Sequence, residues 1–322
     1  MGRRPFRPLR QGLEALALRG LGVVARILPF ELASDLGALI GRGAHALLAR
    51  RRAIAIENLT RALGPEPGGV PAPLVARRVF EQIGRSFVEF LALPGQSLEA
   101  ILARVEFDGF EPAAAMAREG RAAVLLTGHF GNWELFGAAM RARCGSMKYV
   151  LPRQTNAASD VYLNQVRAKL GIEAIPIGLG MRGAVRSLRE GTFVAMLPDQ
   201  DARGVGIHVE FFGRLASTPS GPARIAMSAG VPILTGVLER AGRGRFRARM
   251  VSALTPDPAR AKDEEIHRLT AEITRALEEA IRERPDHWYW IHRRWKTPPP
   301  QTTSASPPAA SPPAVPQTAV RK

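Results

Sequence analysis

From residue 122 onward the chain alternates short apolar runs with helical stretches, and no other feature restricts its fold as tightly. The runs cover residues 122–126, 147–151, 173–177, 192–197, 231–238 and 246–251. Between them, residues 133–143, 159–170, 183–190 and 220–229 have a helical pattern. Strands that alternate with helices predict an α/β fold: a central, mostly parallel sheet covered by helices. Residues 105–107 add a probable strand ahead of this series, and 263–284 a closing amphipathic helix.

Within this series one stretch has the composition of a reaction site. Leu125-Leu-Thr-Gly-His-Phe-Gly-Asn-Trp-Glu-Leu-Phe136 reads as strand, tight turn and helix, with Gly128 and Gly131 bracketing the turn. His129 therefore sits at a strand-to-helix turn, where a side chain can face a cleft. Glu134 follows five residues later, in the first helical turn. An imidazole with a carboxylate to hold its tautomer is the minimum for a general base that takes a proton from a hydroxyl. The same pair is also met where the histidine only caps a helix and the glutamate faces solvent. The turn offers no Ser or Cys, and Thr127 reads as the last residue of the strand. Direct attack by an acceptor hydroxyl, without a covalent enzyme intermediate, follows from that inventory.

The charge balance points to the partners. Lys and Arg number 45 against 29 Asp and Glu, a net charge of +16, which calls for an anionic partner: nucleic acid, a phospholipid surface or an acidic protein. Cys144 is the single cysteine, so no internal disulfide or cysteine metal cluster forms, and it reads as an inert thiol. The six histidines show no paired ligand spacing. No metal and no cofactor are expected.

The first ten residues carry Arg3, Arg4, Arg7 and Arg10. Residues 13–28 are apolar but interrupted by Glu14, Arg19 and Arg26, which argues against a spanning helix. Leu13, Leu16, Val24 and Ile27 fall on one helical face and Arg19 and Arg26 on another, the pattern of a cationic amphipathic helix on an anionic membrane. Core packing is the plainer alternative for the same face. A helix over 35–56 continues past Asn58 and contains Arg50, Arg51 and Arg52, and residues 74–93 form another helix with an apolar stripe through Val79, Phe80, Ile83, Phe87 and Phe90. The expected organisation is a membrane-associating segment over 1–30, a catalytic domain over 31–296, and a disordered Pro/Ala/Ser/Thr-rich tail over 297–322.

Three further blocks carry candidate side chains. Arg153 follows the second strand of the series, where a guanidinium could hold an oxyanion or a phosphate. Asp199 and Asp201 stand at a strand end in Leu-Pro-Asp-Gln-Asp; Asp199 reads as an orienting or arginine-pairing acid. Phe211 and Phe212 line an acyl path or fill the core, with equal claim. Thr218 reads as a helix N-cap with Pro219 at the first helical position. Last, residues 285–296 crowd three Trp and one Tyr among two Arg, one Lys and two His. That mixture suits a membrane interface with phosphorylated sugars, and RNA-binding proteins use it too.

In order along the chain, Arg51-Arg52 with Asn58-Leu59, Gly-His-Phe-Gly-Asn-Trp-Glu at 128–134, Arg153, Leu-Pro-Asp-Gln-Asp with Phe-Phe-Gly, and the final His-Arg-Arg-Trp-Lys resemble the bacterial lipid A late acyltransferases, within the glycerolipid acyltransferase superfamily. The resemblance implies a fold of that superfamily and acyl transfer from acyl carrier protein to a hydroxyl of a lipid A precursor. The expected place is the cytoplasmic face of the inner membrane, held peripherally or monotopically on its anionic surface, with no nucleic acid partner. It implies His129, Glu134 and Arg153 as catalytic, with Asn132, Asp199, Arg293, Arg294 and Lys296 binding substrate. Two rivals stand beside it: an acyltransferase for another acceptor, such as a mannosylated phosphoinositide or a lysophospholipid, and a non-enzymatic basic protein.

Overall fold

The computed structural model describes residues 7–151, 156–176 and 180–300. Arg153 and the tail from residue 301 onward lie outside the described residues. Four helices precede the sheet: α1 (Arg7–Ile27), α2 (Phe30–Leu47), α3 (Ala49–Leu63) and α4 (Ala72–Ala92). The single helix expected over 35–56 starts earlier, directly after Pro29, and is broken at Leu48, whose backbone (φ −94, ψ 61) leaves the helical region. α2 lies tightly on α4 because glycines meet there. A side chain on Gly37, Gly41 or Gly84 would run into the backbone of the opposite helix.

α1 lies against α4 and α8, with Ala15 and Ala25 buried and Gly22 against the Tyr162 hydroxyl. Leu13, Leu16, Val23, Val24 and Ile27 remain exposed in one row, Ile27 at 77%. Arg19 and Arg26 do not act together as a cationic face. Arg26 turns inward, donating to the Leu91 carbonyl at 3.3 Å and to the Tyr162 hydroxyl at 3.2 Å. Among the described residues, no helix is long and apolar enough to cross a membrane.

The sheet elements follow: α5 (Leu98–Leu102), β1 (Val105–Asp108), α6 (Glu111–Arg118), β2 (Val124–Leu126), α7 (Trp133–Cys144), β3 (Met147–Leu151), α8 (Ala157–Lys169), β4 (Ile172–Pro176), α9 (Gly180–Arg189) and β5 (Phe193–Met196). Then come β6 (Ile207–Phe211), β7 (Arg214–Thr218), α10 (Gly221–Ala229), β8 (Ile233–Gly242), β9 (Arg245–Leu254) and α11 (Lys262–Glu283). Seven strands form one mixed sheet in the order β1-β9-β8-β2-β5-β3-β4. The five from β8 to β4 are parallel, because helical crossovers return the chain to the same edge each time. β8 and β9 have only Arg243 and Gly244 between them, so they pair antiparallel, and β1 runs with β9.

β6 and β7 form a separate hairpin, turned by Phe212 and Gly213 with φ +54 and +68. Val209, Phe211 and Ala216 are buried on it; the Phe211 ring meets Trp288 and Trp295, and Phe212 meets Trp290. Phe211 and Phe212 are therefore core. Thr218 ends β7 and does not cap a helix; α10 begins after Ser220, with Pro222 in its first turn.

Candidate active site

The parallel register builds the site. Leu126, the last residue of β2, lies opposite Met196, the last of β5, and Thr127 N–H donates to the Met196 carbonyl at 3.3 Å. Three residues beyond each strand end stand His129 and Asp199, both on the carboxyl edge of the sheet, where open α/β folds place their ligands. Asp199 Oδ1 accepts from His129 Nδ1 at 2.7 Å, and Oδ2 accepts from the His129 backbone N–H at 2.6 Å. The Trp288 indole donates to the same Oδ2 at 2.8 Å.

The Asp199 side chain is 3% exposed and the His129 ring 23%, so the pair leads from the interior toward the surface. Burial raises the Asp199 carboxyl, but the His129 charge, its two hydrogen bonds and the Trp288 indole overcome it and hold the group at about 2. An ionised Asp199 fixes the proton on Nδ1 of the ring, leaving the lone pair on Nε2. Trp133 and Tyr289 flank the ring, at centroid distances of 5.0 and 5.7 Å.

Glu134 does not hold that ring. It lies buried on α7, and both its oxygens go to Arg167 of α8, at 2.5 Å from Nη2 and 3.2 Å from Nε. The Arg167 guanidinium also lies over the Phe90 ring at 5.4 Å. The correction has a simple cause. His129 precedes the helix and its ring meets Asp199 just beyond β5, whereas Glu134 is the second residue of α7 and meets Arg167 of α8.

The remaining predicted residues divide. Asn132 is 1% exposed: it caps α7 by accepting from Leu135 N–H at 2.9 Å and donates to Glu89 at 2.7 Å, so it binds protein rather than substrate. Arg294 is also 1% exposed, donating to the Ser217 carbonyl at 2.7 Å and to the Thr218 hydroxyl at 2.5 Å. Its substrate-binding assignment gives way to a structural one. Arg293 and Lys296 are exposed. Asp201 is spent locally, on Arg203 N–H and the Thr297 hydroxyl.

The C-terminal block runs back over the motif. Gly131 N–H donates to the His287 carbonyl at 2.8 Å, and Tyr289 N–H to the His129 carbonyl at 3.0 Å. Gly131 has φ +55 and lies hard against the Leu238 carbonyl, so no side chain fits there. The N-terminal block fixes the same strap from outside. Asn58 donates to the Trp290 and His292 carbonyls, each at 2.8 Å, and Arg51 to the Ile291 carbonyl at 3.2 Å. His292, held neutral by burial, accepts from Asp201 N–H at 3.1 Å.

A family profile described as bacterial lipid A biosynthesis acyltransferase matches residues 3–297, nearly the whole chain. The chain belongs to this family. Among its curated relatives is a phosphatidylinositol mannoside acyltransferase of Mycobacterium tuberculosis, 28% identical over 74% of this chain and 75% of the relative. Two Escherichia coli proteins also match: a lipid A biosynthesis palmitoleoyltransferase, 25% identical over 84% and 87% of the two chains, and a lipid A biosynthesis myristoyltransferase, 23% identical over 87% of each. This family member is accordingly an acyltransferase.

Sequence reasoning on this acyltransferase missed Trp288, Gln200 and Arg167. Trp288 was visible only as part of an aromatic cluster; nothing local marks its indole as the third donor to Asp199. Gln200 was passed over between two acids. Arg167 lies 33 residues from Glu134, on the next helix of the βαβ series, and that neighbouring helix is where a partner for a buried helical acid is to be sought.

Proposed function

We propose that this acyltransferase moves a fatty acyl chain from acyl carrier protein to a hydroxyl of a lipid A precursor, with His129 as general base and no covalent enzyme intermediate. The observation that carries this reading is the His129–Asp199 pair, in which the ring is part-exposed and Nε2 is the nitrogen not bound to Asp199. The described side-chain hydrogen-bond partners of His129 are Asp199, whose buried carboxylate oxygens are both occupied, and Gln200, a neutral amide, so neither is placed to attack a thioester. Burial pushes the Cys144 thiol up to about 11, and it stands at the far end of α7. The acceptor hydroxyl gives its proton to Nε2 as its oxygen attacks the thioester carbon. Asp199 stabilises the imidazolium. The tetrahedral intermediate then collapses, the C–S bond breaks, and the leaving thiolate takes the proton from Nε2. Arg153, two residues after β3 in the sequence, is assigned to the oxyanion; Arg293 and Lys296 are assigned to phosphate on the acceptor.

The net charge of +16 and the exposed row on α1 support docking on the anionic cytoplasmic face of the inner membrane. α2 adds Leu39, Ile40 and Leu47, also exposed. A second reading keeps the chemistry and changes the acceptor to a phosphatidylinositol mannoside, favoured by the mycobacterial relatives. One experiment separates them. The protein is incubated with acyl carrier protein or coenzyme A thioesters and with each acceptor, presented in anionic or zwitterionic vesicles. Acylated lipid A precursor, made by protein sedimenting with anionic vesicles, is the expected result. Acylation of the mannoside alone replaces the first reading with the second, and sedimentation that ignores lipid charge removes the docking mode.

A further inference from the structure

Gln200 lies between two residues whose side chains are consumed by the fold. Asp199 is bound to His129 and Trp288; Asp201 is bound to Arg203 and Thr297, and its backbone N–H to His292. The backbone on both sides of Gln200 is thereby pinned, and its half-buried side chain extends to the His129 ring. There its Nε2 stands 3.4 Å from His129 Nε2. Since His129 Nδ1 donates to Asp199, Nε2 is the accepting nitrogen, and only the amide NH2 group can face it without repulsion. Among the described residues this long contact is the one hydrogen bond the Gln200 carboxamide makes.

We infer that Gln200 is a catalytic residue whose side-chain N–H donates to the oxyanion of the tetrahedral intermediate. The inference rests on the proposed acyl transfer at His129. In that step the acceptor oxygen takes the place at His129 Nε2, as its proton moves there and its bond to the thioester carbon forms. The carbonyl π pair moves onto oxygen. That oxyanion shares a carbon with the attacking oxygen, so it forms beside Nε2, within reach of the amide now displaced from the nitrogen. A neutral, preorganised donor aimed at developing charge stabilises the transition state more than the ground state. The electron pair on the oxyanion re-forms the C=O bond as the C–S bond breaks, the negative charge leaves on sulfur, and the thiolate takes the proton from Nε2.

The test is steady-state kinetics on Gln200→Met, which keeps the length and loses the N–H groups, and on Gln200→Ala. Loss of one oxyanion donor predicts a fall in kcat of about 10²–10³-fold in both, with KM for donor and acceptor nearly unchanged. The acid limb of the kcat–pH profile should stay in place, because in the bound complex the acceptor has already displaced Gln200 from Nε2 and the His129–Asp199 pair is intact. A fall of less than about tenfold, or a rise in acceptor KM that accounts for the loss, overturns the assignment. So does a displaced acid limb, which would mean that Gln200 acts through His129. His129→Ala serves as the reference: if it keeps wild-type turnover, the general-base reading fails and this inference with it. If it is inactive while Gln200→Met is not, only this inference fails.

Discussion

Two charged pairs leave the same short motif and do opposite things. His129 pairs with Asp199, 70 residues away on the next strand of the sheet; Glu134 pairs with Arg167, 33 residues away on the next helix. In the first pair one partner is buried and the other reaches the surface, at 3% and 23% exposure. In the second both are closed off, at 11% and 8%, and every oxygen of Glu134 is spent on Arg167. A site needs one end free to react, whereas a brace needs both ends occupied. The histidine and glutamate that stand together in sequence therefore belong to different pairs: one reaches the surface and is proposed to transfer the proton, and the other holds α7 to α8.

The brace is the easier of the two to break. Glu134→Ala leaves the Arg167 guanidinium buried without its carboxylate, which should cost ~3–5 kcal/mol of stability. Denaturant unfolding checks it, and Glu134→Met combined with Arg167→Met should recover most of the loss. If Glu134→Ala unfolds like wild type, the pair is no brace. The proton-transfer pair makes a smaller mark on stability, visible in acid. The Asp199 carboxyl is held at about 2, below its ordinary 3.8. A depressed carboxyl stabilises the fold above its unfolded pKa and loses that contribution as pH falls through the folded one. Some ~2 kcal/mol should therefore disappear between about pH 4 and pH 2, and Asp199→Asn should not show that component of the acid loss. An identical acid transition in the variant would remove Asp199 from the account of acid sensitivity.

Much of this was legible because parallel strands buried on both faces are written as plain apolar runs. The runs at 122–126, 147–151 and 192–197 became β2, β3 and β5 within a residue or two. β6 is not among the expected strands although Ile207, Val209 and Phe211 alternate with His208 and Glu210, the period of a strand with one buried face. The break at Leu48 carries no proline or glycine to announce it. His129 was legible because a strand–turn–helix places a side chain at a cleft from local rules alone. Its partner was not, since pairing His129 with Asp199 requires the register of Leu126 on Met196, which is set by the whole sheet. Arg293 and Arg294 show the same limit at the scale of one residue. One faces solvent and the other fills the space beside Phe211, and nothing in two adjacent arginines says which.

The account stands on Asp199, and not Glu134, being the acid that serves His129. The direct measurement is kcat for Asp199→Asn and Glu134→Gln, each an isosteric change that removes one carboxylate charge, under conditions where both proteins are folded. Asp199→Asn should fall by about 10²–10⁴-fold, because the ring loses its tautomer control and the imidazolium its counter-charge. Glu134→Gln, which keeps a hydrogen-bond acceptor for Arg167, should retain turnover close to wild type per folded molecule. The reverse order, with Asp199→Asn active and Glu134→Gln dead while folded, would contradict the account.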